Sequence, residues 1–217
     1  MATTASRGAA RALAAIACAA SVIAVAGCGA TDNAKVSGAQ VYGDYLNIYS
    51  SLALSGPQGD EGNAILNGER LAFSQRGGKI GTFILNLVSL NSVNGNAPEP
   101  DNGQVALNAR KAVTDPRSIA YIGDLDRSQT RLSKVIVGQA QLLQVAPSSG
   151  WESIPGGRSA APGFRASYRK AFGEAPNDAA LYGYEAMNAV LDAIERSGND
   201  AGSRIAVADA FRAGPGN

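Results

Sequence analysis

The stretch LNIYSSLALSGPQGDEGNAILNGERLAF (Leu46–Phe73) contains the predicted strand, turn and helix that decide the fold. Its first part, LNIYSSLAL (Leu46–Leu54), is a short apolar run that predicts a buried strand. The following SGPQGDEG (Ser55–Gly62) is made of residues that favour turns. Apolar side chains then recur at helical spacing through Glu61–Gln75, which predicts an amphipathic helix. A strand that leads directly into a helix is the unit from which parallel α/β sheets are built.

The same alternation continues along the chain. Apolar runs predict further strands at Thr82–Leu90, Ser118–Gly123 and Gln141–Ala146, and helical periodicity predicts helices at Gln104–Asp115 and Ser128–Ala140. Alternating strands and helices indicate βαβ units with right-handed crossovers. We therefore predict an α/β fold with a single doubly wound parallel sheet, flavodoxin-like, in three layers of helix, sheet and helix.

The last quarter of the chain is predicted to contain only helices, and we assign residues 161–213 to these returning helices of the same lobe. Ala161–Gly173 has aromatic residues four apart, and Asn177–Gly198 has an apolar stripe at helical spacing with Gly198 at its end. A short final helix follows at Ser203–Gly214. The stripes predict that these aromatic and aliphatic side chains belong to the core: Phe164, Tyr168, Phe172, Tyr184, Met187, Leu191 and Ile194.

The first residues are typical of an export signal. Arg7 and Arg11 precede an uncharged apolar run of about 15 residues, Ala12–Ala26, which is shorter than the ~20 residues of a membrane-spanning helix. The run ends in VAGC, which resembles the lipobox of bacterial lipoproteins and makes Cys28 the predicted site of lipidation. An ordinary signal peptide or a short buried helix is the alternative. We assign residues 1–27 to a signal peptide and residues 28–45 to a flexible tether.

Composition excludes several classes of function. The chain has 217 residues, a formal charge of +1 and no clustered basic segment, which argues against nucleic-acid binding. Histidine is absent, so Ser-His-Asp and Cys-His catalysis and histidine-containing zinc sites are excluded. Asp124 and Asp126 have a spacing that can hold a divalent cation, but such a site needs further oxygen ligands. We predict a protein that is not an enzyme and that holds no metal or cofactor.

Four segments together resemble the leucine/isoleucine/valine-binding family of periplasmic substrate-binding proteins, which serve ABC transporters. They are LALSGPQGDEGNAILNGERLAF (Leu52–Phe73), NARKAVTDPRSIAYIGDLD (Asn108–Asp126), QLLQVAPSS (Gln141–Ser149) and the helical region Pro162–Gly198. The resemblance implies the periplasmic-binding-protein type I fold, in which two α/β lobes close on a small ligand. That ligand is often an amino acid, held by turns that follow the strands of the first lobe.

The resemblance implies a set of ligand-binding residues in three turns: Ser55, Gln58, Gly59, Asp126, Arg127, Ser128, Ser148 and Ser149. Hydroxyl and backbone N–H groups suit an amino acid because they donate hydrogen bonds to its carboxylate without a full opposite charge. Arg127 stands where the family commonly has a hydroxyl residue. It is placed either to bind a carboxylate bidentately or simply to fill the site.

The second lobe of the family has no room in this sequence. Residues 46–150 match the first part of one lobe, and only a junction at 151–160, which includes Trp151, precedes the returning helices. A lobe of ~100 residues cannot lie there. We expect a lipid-anchored extracytoplasmic substrate-binding protein or truncated relative, with an amino acid as a weakly bound ligand and a permease as partner. The alternative is a protein–protein interaction module or a remnant without function.

Overall fold

The computed structural model describes residues 39–95, 97–147 and 163–214. Strands and helices alternate through the first two thirds of this part, and helices alone follow, as the sequence predicts. In chain order the elements are β1 Tyr45–Leu52, α1 Gly59–Gln75, β2 Lys79–Ile80, β3 Phe83–Asn91, α2 Asn102–Thr114, β4 Ser118–Gly123, α3 Arg127–Gln139, β5 Leu143–Val145, α4 Phe164–Phe172, α5 Asp178–Arg196, a 3₁₀ turn Gly198–Asp200 and α6 Arg204–Ala213.

The five strands form one sheet in the order β2-β3-β1-β4-β5. β1 is parallel to both of its neighbours, β3 and β4, and β5 is parallel to β4. β2 pairs antiparallel with β3 in a hairpin that the sequence analysis did not predict. Two residues are too few to show a periodicity, which explains why this strand was missed. The chain therefore winds outward from β1 in both directions, which confirms the doubly wound sheet.

Helices cover both faces of the sheet because successive strand residues alternate between two cores. Ile48 belongs to a core that includes residues of α1, α4, α5 and α6, whereas Tyr49 belongs to a core with residues of α2 and α3. Both side chains are buried. The predicted three-layer arrangement is confirmed.

The late helices bury the residues that their spacing predicts except Phe172, which is partly buried against the same core. Tyr184, Met187, Leu191 and Ile194 of α5 are all buried. The aromatic rings of α4 pack against one another along the helix, and the ring centroids of Tyr168 and Phe172 are 4.6 Å apart. Asn177 caps α5 as the sequence indicates, by accepting a hydrogen bond from the Ala180 N–H, and Gly173 ends α4 with a φ of 78°. α4 begins at Phe164, after the predicted start at Ala161.

The last part of the predicted tether belongs to the fold. Ala39 and Val41 are buried, the Val41 N–H donates to the Gly202 carbonyl at 2.7 Å, and the Arg204 N–H donates to the Ala39 carbonyl at 2.7 Å. These bonds join the segment before β1 to the start of α6. Ala39 and Val41, which the prediction assigned to the tether, therefore belong to the fold.

Several predicted features lie outside the described residues: the signal peptide, Cys28, most of the tether, Ser148, Ser149 and the junction at 151–160. Only residues 148–162 separate the end of the β5 segment from the start of the α4 segment. Fifteen residues cannot contain a second lobe. Within the described ranges, no helix has the length and apolar composition needed to cross a membrane.

Candidate functional site

The predicted ligand turns lie at the edge of the sheet where the parallel strands end. Because β3 and β4 flank β1, the turn after β1 (residues 53–58) lies between the loop after β3 and the loop after β4. This is the point where the order of the strands reverses. In open α/β sheets it is the usual place for a small ligand, because loops diverge there and leave a crevice.

The turn after β1 and the first residue of α1 hold three of the predicted residues. Ser55 and Gln58 are half-buried, and Gly59 begins α1. The Oε1 atom of Gln58 is buried and has no hydrogen-bond partner within the described part of the chain. Gly56 has a φ of +73°, and a Cβ there would lie 3.4 Å from the Ala97 carbonyl oxygen. The turn thus packs directly on the loop after β3.

The start of α1 carries two acidic residues, Asp60 and Glu61, in its first turn. They lie at the positive end of the helix, where they stabilise it. Their charges would oppose an anion bound to the same backbone N–H groups. The side chains of the turn would therefore bind a carboxylate ligand at this edge more favourably than the N–H groups of the helix end.

Asn91, at the end of β3, connects the two loops. Its Oδ1 accepts hydrogen bonds from the Leu54 N–H at 2.9 Å and the Val93 N–H at 3.0 Å, and its Nδ2 donates to Ser55 Oγ at 2.9 Å. Sequence reasoning missed this residue. The only signal was an amide side chain at the last position of an apolar strand, directly before a polar loop.

Asn108 of α2 supports the same corner from within the protein. It is 4% exposed, and its Nδ2 donates to Ser51 Oγ and to the Asn91 carbonyl, both at 3.0 Å. Its Oδ1 accepts a hydrogen bond from Gln104 at 2.9 Å. The side chain therefore joins α2 to the ends of β1 and β3.

The turn after β4 holds Asp126, Arg127 and Ser128, next to the β1 turn. The Asp126 side chain caps α3 by accepting hydrogen bonds from the backbone N–H groups of Ser128 and Gln129, and it also accepts one from the Ser128 hydroxyl. The Ser128 hydroxyl holds the pKa of Asp126 below its ordinary value. Both side chains are thus engaged in forming the helix start, and Arg127 is exposed as its first residue.

Asp124 is fully buried beneath this turn, whereas Asp126 is exposed, so the two aspartates have different surroundings. The Tyr121 hydroxyl donates to Asp124 Oδ1 at 3.2 Å. Burial raises the pKa of Asp124 to about 6, against nearby hydroxyl groups that lower it. No group of three or more potential metal-ligating side chains forms within the described ranges.

The third predicted turn begins at the same edge. β5 ends at Val145, and Ala146 and Pro147 are buried after it. Ser148 and Ser149 follow outside the described residues, so their part in the site remains a prediction. In the described part of the site, the turn after β1 provides neutral hydrogen-bonding groups. The capped start of α3, which follows β4, lies beside them.

Comparison with protein-family models gives no match, and comparison with curated protein sequences gives none. Solved structures do match. The leucine-binding protein LivK of Thermotoga maritima is 12% identical, with 77% of this chain and 87% of that chain covered at a TM-score of 0.64. LivJ of Streptococcus pneumoniae, in complex with isoleucine, is 10% identical, with 77% and 87% covered at a TM-score of 0.63.

A third match is the solute-binding protein of an ABC transporter of Rhodopseudomonas palustris, in complex with 3,4-dihydroxybenzoic acid. It is 8% identical, with 77% of this chain and 85% of that chain covered at a TM-score of 0.65. Identities this low establish the fold and not the ligand. The chain therefore has the α/β fold of the periplasmic substrate-binding proteins of the leucine-binding type, with its described strands in a single lobe.

Proposed function

We propose that this protein is the extracytoplasmic substrate-binding protein of an ABC transporter, or a truncated relative of one, and that it binds a small carboxylate ligand without chemistry. The observation that carries this proposal is the position of Ser55, a half-buried hydroxyl at the strand-order reversal. Ser55, Gln58 and Gly59 would contact the ligand from one turn, and Arg127 from the next. A neutral donor such as a serine hydroxyl fits a carboxylate well.

The structural neighbours support the chemical class. One is a leucine-binding protein, one holds isoleucine, and one holds 3,4-dihydroxybenzoic acid. These ligands differ in their side chains and rings but share a carboxyl group. We therefore infer a carboxylate as the recognised group, with branched-chain and other amino acids as the first compounds to test.

A single lobe should bind weakly. The resemblance implies a ligand enclosed between two lobes, whereas here the turns at the sheet edge would form an open shelf. Loss of about half of the contacts would reduce a binding free energy near −8 kcal/mol to about −4 kcal/mol, which changes a micromolar dissociation constant to a millimolar one. Contacts are not additive, so this sets the direction of the effect.

The proposed location is the outer face of the cell membrane, with a lipid on Cys28 and a permease as partner. The support is the apolar segment that ends in VAGC at Cys28. Metabolic labelling with a fatty-acid analogue should mark the wild-type chain and leave Cys28→Ser unmarked. Equal labelling of both chains would contradict the anchor.

Isothermal titration calorimetry on the full-length chain tests the ligand. Leucine, isoleucine, valine and 3,4-dihydroxybenzoate should include at least one compound that binds in the millimolar range, and Ser55→Ala should weaken that binding. Micromolar binding to a chain shown by light scattering to be monomeric would overturn the weak-affinity proposal. A stable dimer that binds none of these compounds would favour the interaction module instead.

A further inference from the structure

The orientation of the Asn91 amide is determined by its neighbours. Two backbone N–H groups, from Leu54 and Val93, point at Oδ1 at 2.9 and 3.0 Å. Both are donors only, so the atom that meets them must be the amide oxygen. The Nδ2 atom consequently lies on the side of Ser55, 2.9 Å from its Oγ.

This orientation determines how Ser55 can bond. Because the Asn91 NH₂ group can only donate, Ser55 Oγ is the acceptor in their hydrogen bond, and its own hydrogen points elsewhere. The structure shows no acceptor for that hydrogen among the described residues. The Ser55 hydroxyl is therefore left as a donor toward a bound molecule.

We infer that Asn91 is a specificity-determining positioning residue, which makes Ser55 a hydrogen-bond donor and so selects a ligand carboxylate oxygen at this turn. The inference rests on the proposed function and adds a residue that does not itself touch the ligand. Asn108 keeps Asn91 in place, since its buried amide donates to the Asn91 carbonyl at 3.0 Å. Asn108 thus holds the Asn91 backbone, while the Leu54 and Val93 N–H groups orient its side-chain amide.

Asn91→Asp reverses the direction of the hydrogen bond between residue 91 and Ser55 with little change in the shape of the side chain. One carboxylate oxygen still accepts from the Leu54 and Val93 N–H groups, but the other replaces the donor that faced Ser55. The Ser55 hydroxyl must then donate to the new carboxylate, and its lone pairs face the ligand. A ligand carboxylate loses a donor and meets a negative charge, whereas a ligand amide can donate its own N–H to the freed oxygen.

The test measures how tightly the full-length chain binds each acid and the corresponding primary amide. The pairs are leucine with leucinamide, and 3,4-dihydroxybenzoate with 3,4-dihydroxybenzamide. Asn91→Asp should weaken binding of the acid by roughly ten- to a hundredfold, the effect of one hydrogen bond to a charged group. Binding of the amide should change by less than about threefold. The ratio of the two affinities is the critical readout, because general damage to the turn would weaken both compounds alike.

Two further variants complete the design. Asn94→Asp adds the same charge to an exposed position in the same loop and should leave the acid-to-amide ratio near that of the wild type. Ser55→Ala removes the donor and should weaken acid binding on its own. In that background, Asn91→Asp should have a smaller effect on the ratio, as expected for two residues that act through one hydrogen bond.

The outcomes separate the two proposals. If the wild type binds an acid and Asn91→Asp leaves the acid-to-amide ratio unchanged, the role of Asn91 is wrong and the proposed function stands. The same holds if Asn94→Asp shifts the ratio as much as Asn91→Asp does, since charge alone would then explain it. If the wild type binds none of leucine, isoleucine, valine and 3,4-dihydroxybenzoate at millimolar concentration, both proposals fail.

Discussion

Gly68 of α1 and Gly183 of α5 each lie against the backbone of the other helix. A Cβ on Gly68 would be 1.9 Å from the Ala180 carbonyl oxygen, and a Cβ on Gly183 would be 2.0 Å from the Ile65 carbonyl oxygen. Real atoms cannot approach so closely, so any side chain at either position would push the helices apart. These two glycines therefore set the distance between the helices that cover one face of the sheet.

We expect Gly183→Ala to destabilise the fold by at least about 3 kcal/mol, and Gly68→Ala to do the same, because the obstructing atoms are backbone and cannot rotate away. Gly138→Ala is the matched control. It lies in α3 with no atom within 4 Å of a Cβ, so the change should stabilise by up to about 1 kcal/mol. Urea unfolding monitored by circular dichroism measures all three. A loss below 1 kcal/mol for Gly183→Ala would contradict the close packing.

Gly68 and Gly183 lie far apart in the chain, and neither helical pattern indicates that they meet. They occur in segments that resemble the substrate-binding family, Leu52–Phe73 and Pro162–Gly198, which come together only in the folded chain. Periodicity predicts each helix separately because it shows which face of that helix is apolar and becomes buried. It does not report which helix covers that face, since this depends on contacts between residues far apart in sequence.

In the candidate site, too, some residues could be predicted from the sequence and others could not. Ser55 was predicted because its turn resembles a ligand turn of the substrate-binding family, whereas Asn91 was missed because a single amide in an apolar strand has no pattern. Glu69 was missed for a related reason: its charge suggests an exposed helix position, but it is fully buried. Buried polar residues are found only when the packing around them is known.

Glu69 should make the fold less stable as the pH rises. Burial raises its pKa from 4.5 to about 8, and the Ser50 hydroxyl, close by but without an aligned hydrogen bond, offsets little of this. Below pH 4.5 the carboxyl group is protonated in both the folded and the unfolded chain. Between pH 4.5 and 8 only the unfolded chain ionises, so the free energy of unfolding falls by about 1.4 kcal/mol per pH unit.

Glu69→Gln removes this ionisation and keeps the size of the side chain. Its stability gain over the wild type should be small near pH 4.5 and grow to several kcal/mol at pH 8. Urea unfolding at a series of pH values gives the gain directly. Glu61→Gln, an exposed change in the same helix, should alter stability by less than about 1 kcal/mol throughout. A gain independent of pH would show that Glu69 ionises normally in the folded chain.

Asp124 should act in the same direction over a lower pH range. Its folded pKa of about 6 lies above the ordinary 3.8, so the fold loses stability as pH rises from about 3.8 to about 6 and no more beyond. The gain from Asp124→Asn should therefore rise over this range and then stay level. Asp126→Asn is the contrasting control: its folded pKa lies below the ordinary value, so this change should give no gain that grows with pH. Asparagine also caps a helix about as well as aspartate. A gain that keeps rising to pH 8 would contradict the assigned pKa.

Arg204 should be among the strongest single contributors to stability, because its buried guanidinium joins three parts of the chain. Its Nε donates to the Ser118 carbonyl and its Nη2 to the Asp115 carbonyl, both at 2.9 Å, and the side chain is 4% exposed. Arg204→Ala removes the guanidinium donor from both carbonyls, although the Asp115 carbonyl still accepts from the Ser118 N–H at 3.1 Å. This change should cost about 3 kcal/mol, whereas Arg204→Lys, which keeps one donor group, should cost less. Arg212→Ala, at the exposed end of the same helix, removes only a surface ion pair with Asp209 and should change stability by about 0.5 kcal/mol or less. Chemical denaturation of the three variants measures these changes in the free energy of unfolding. Equal destabilisation by Arg204→Ala and Arg212→Ala would show that the Arg204 side chain does not hold α6 in place.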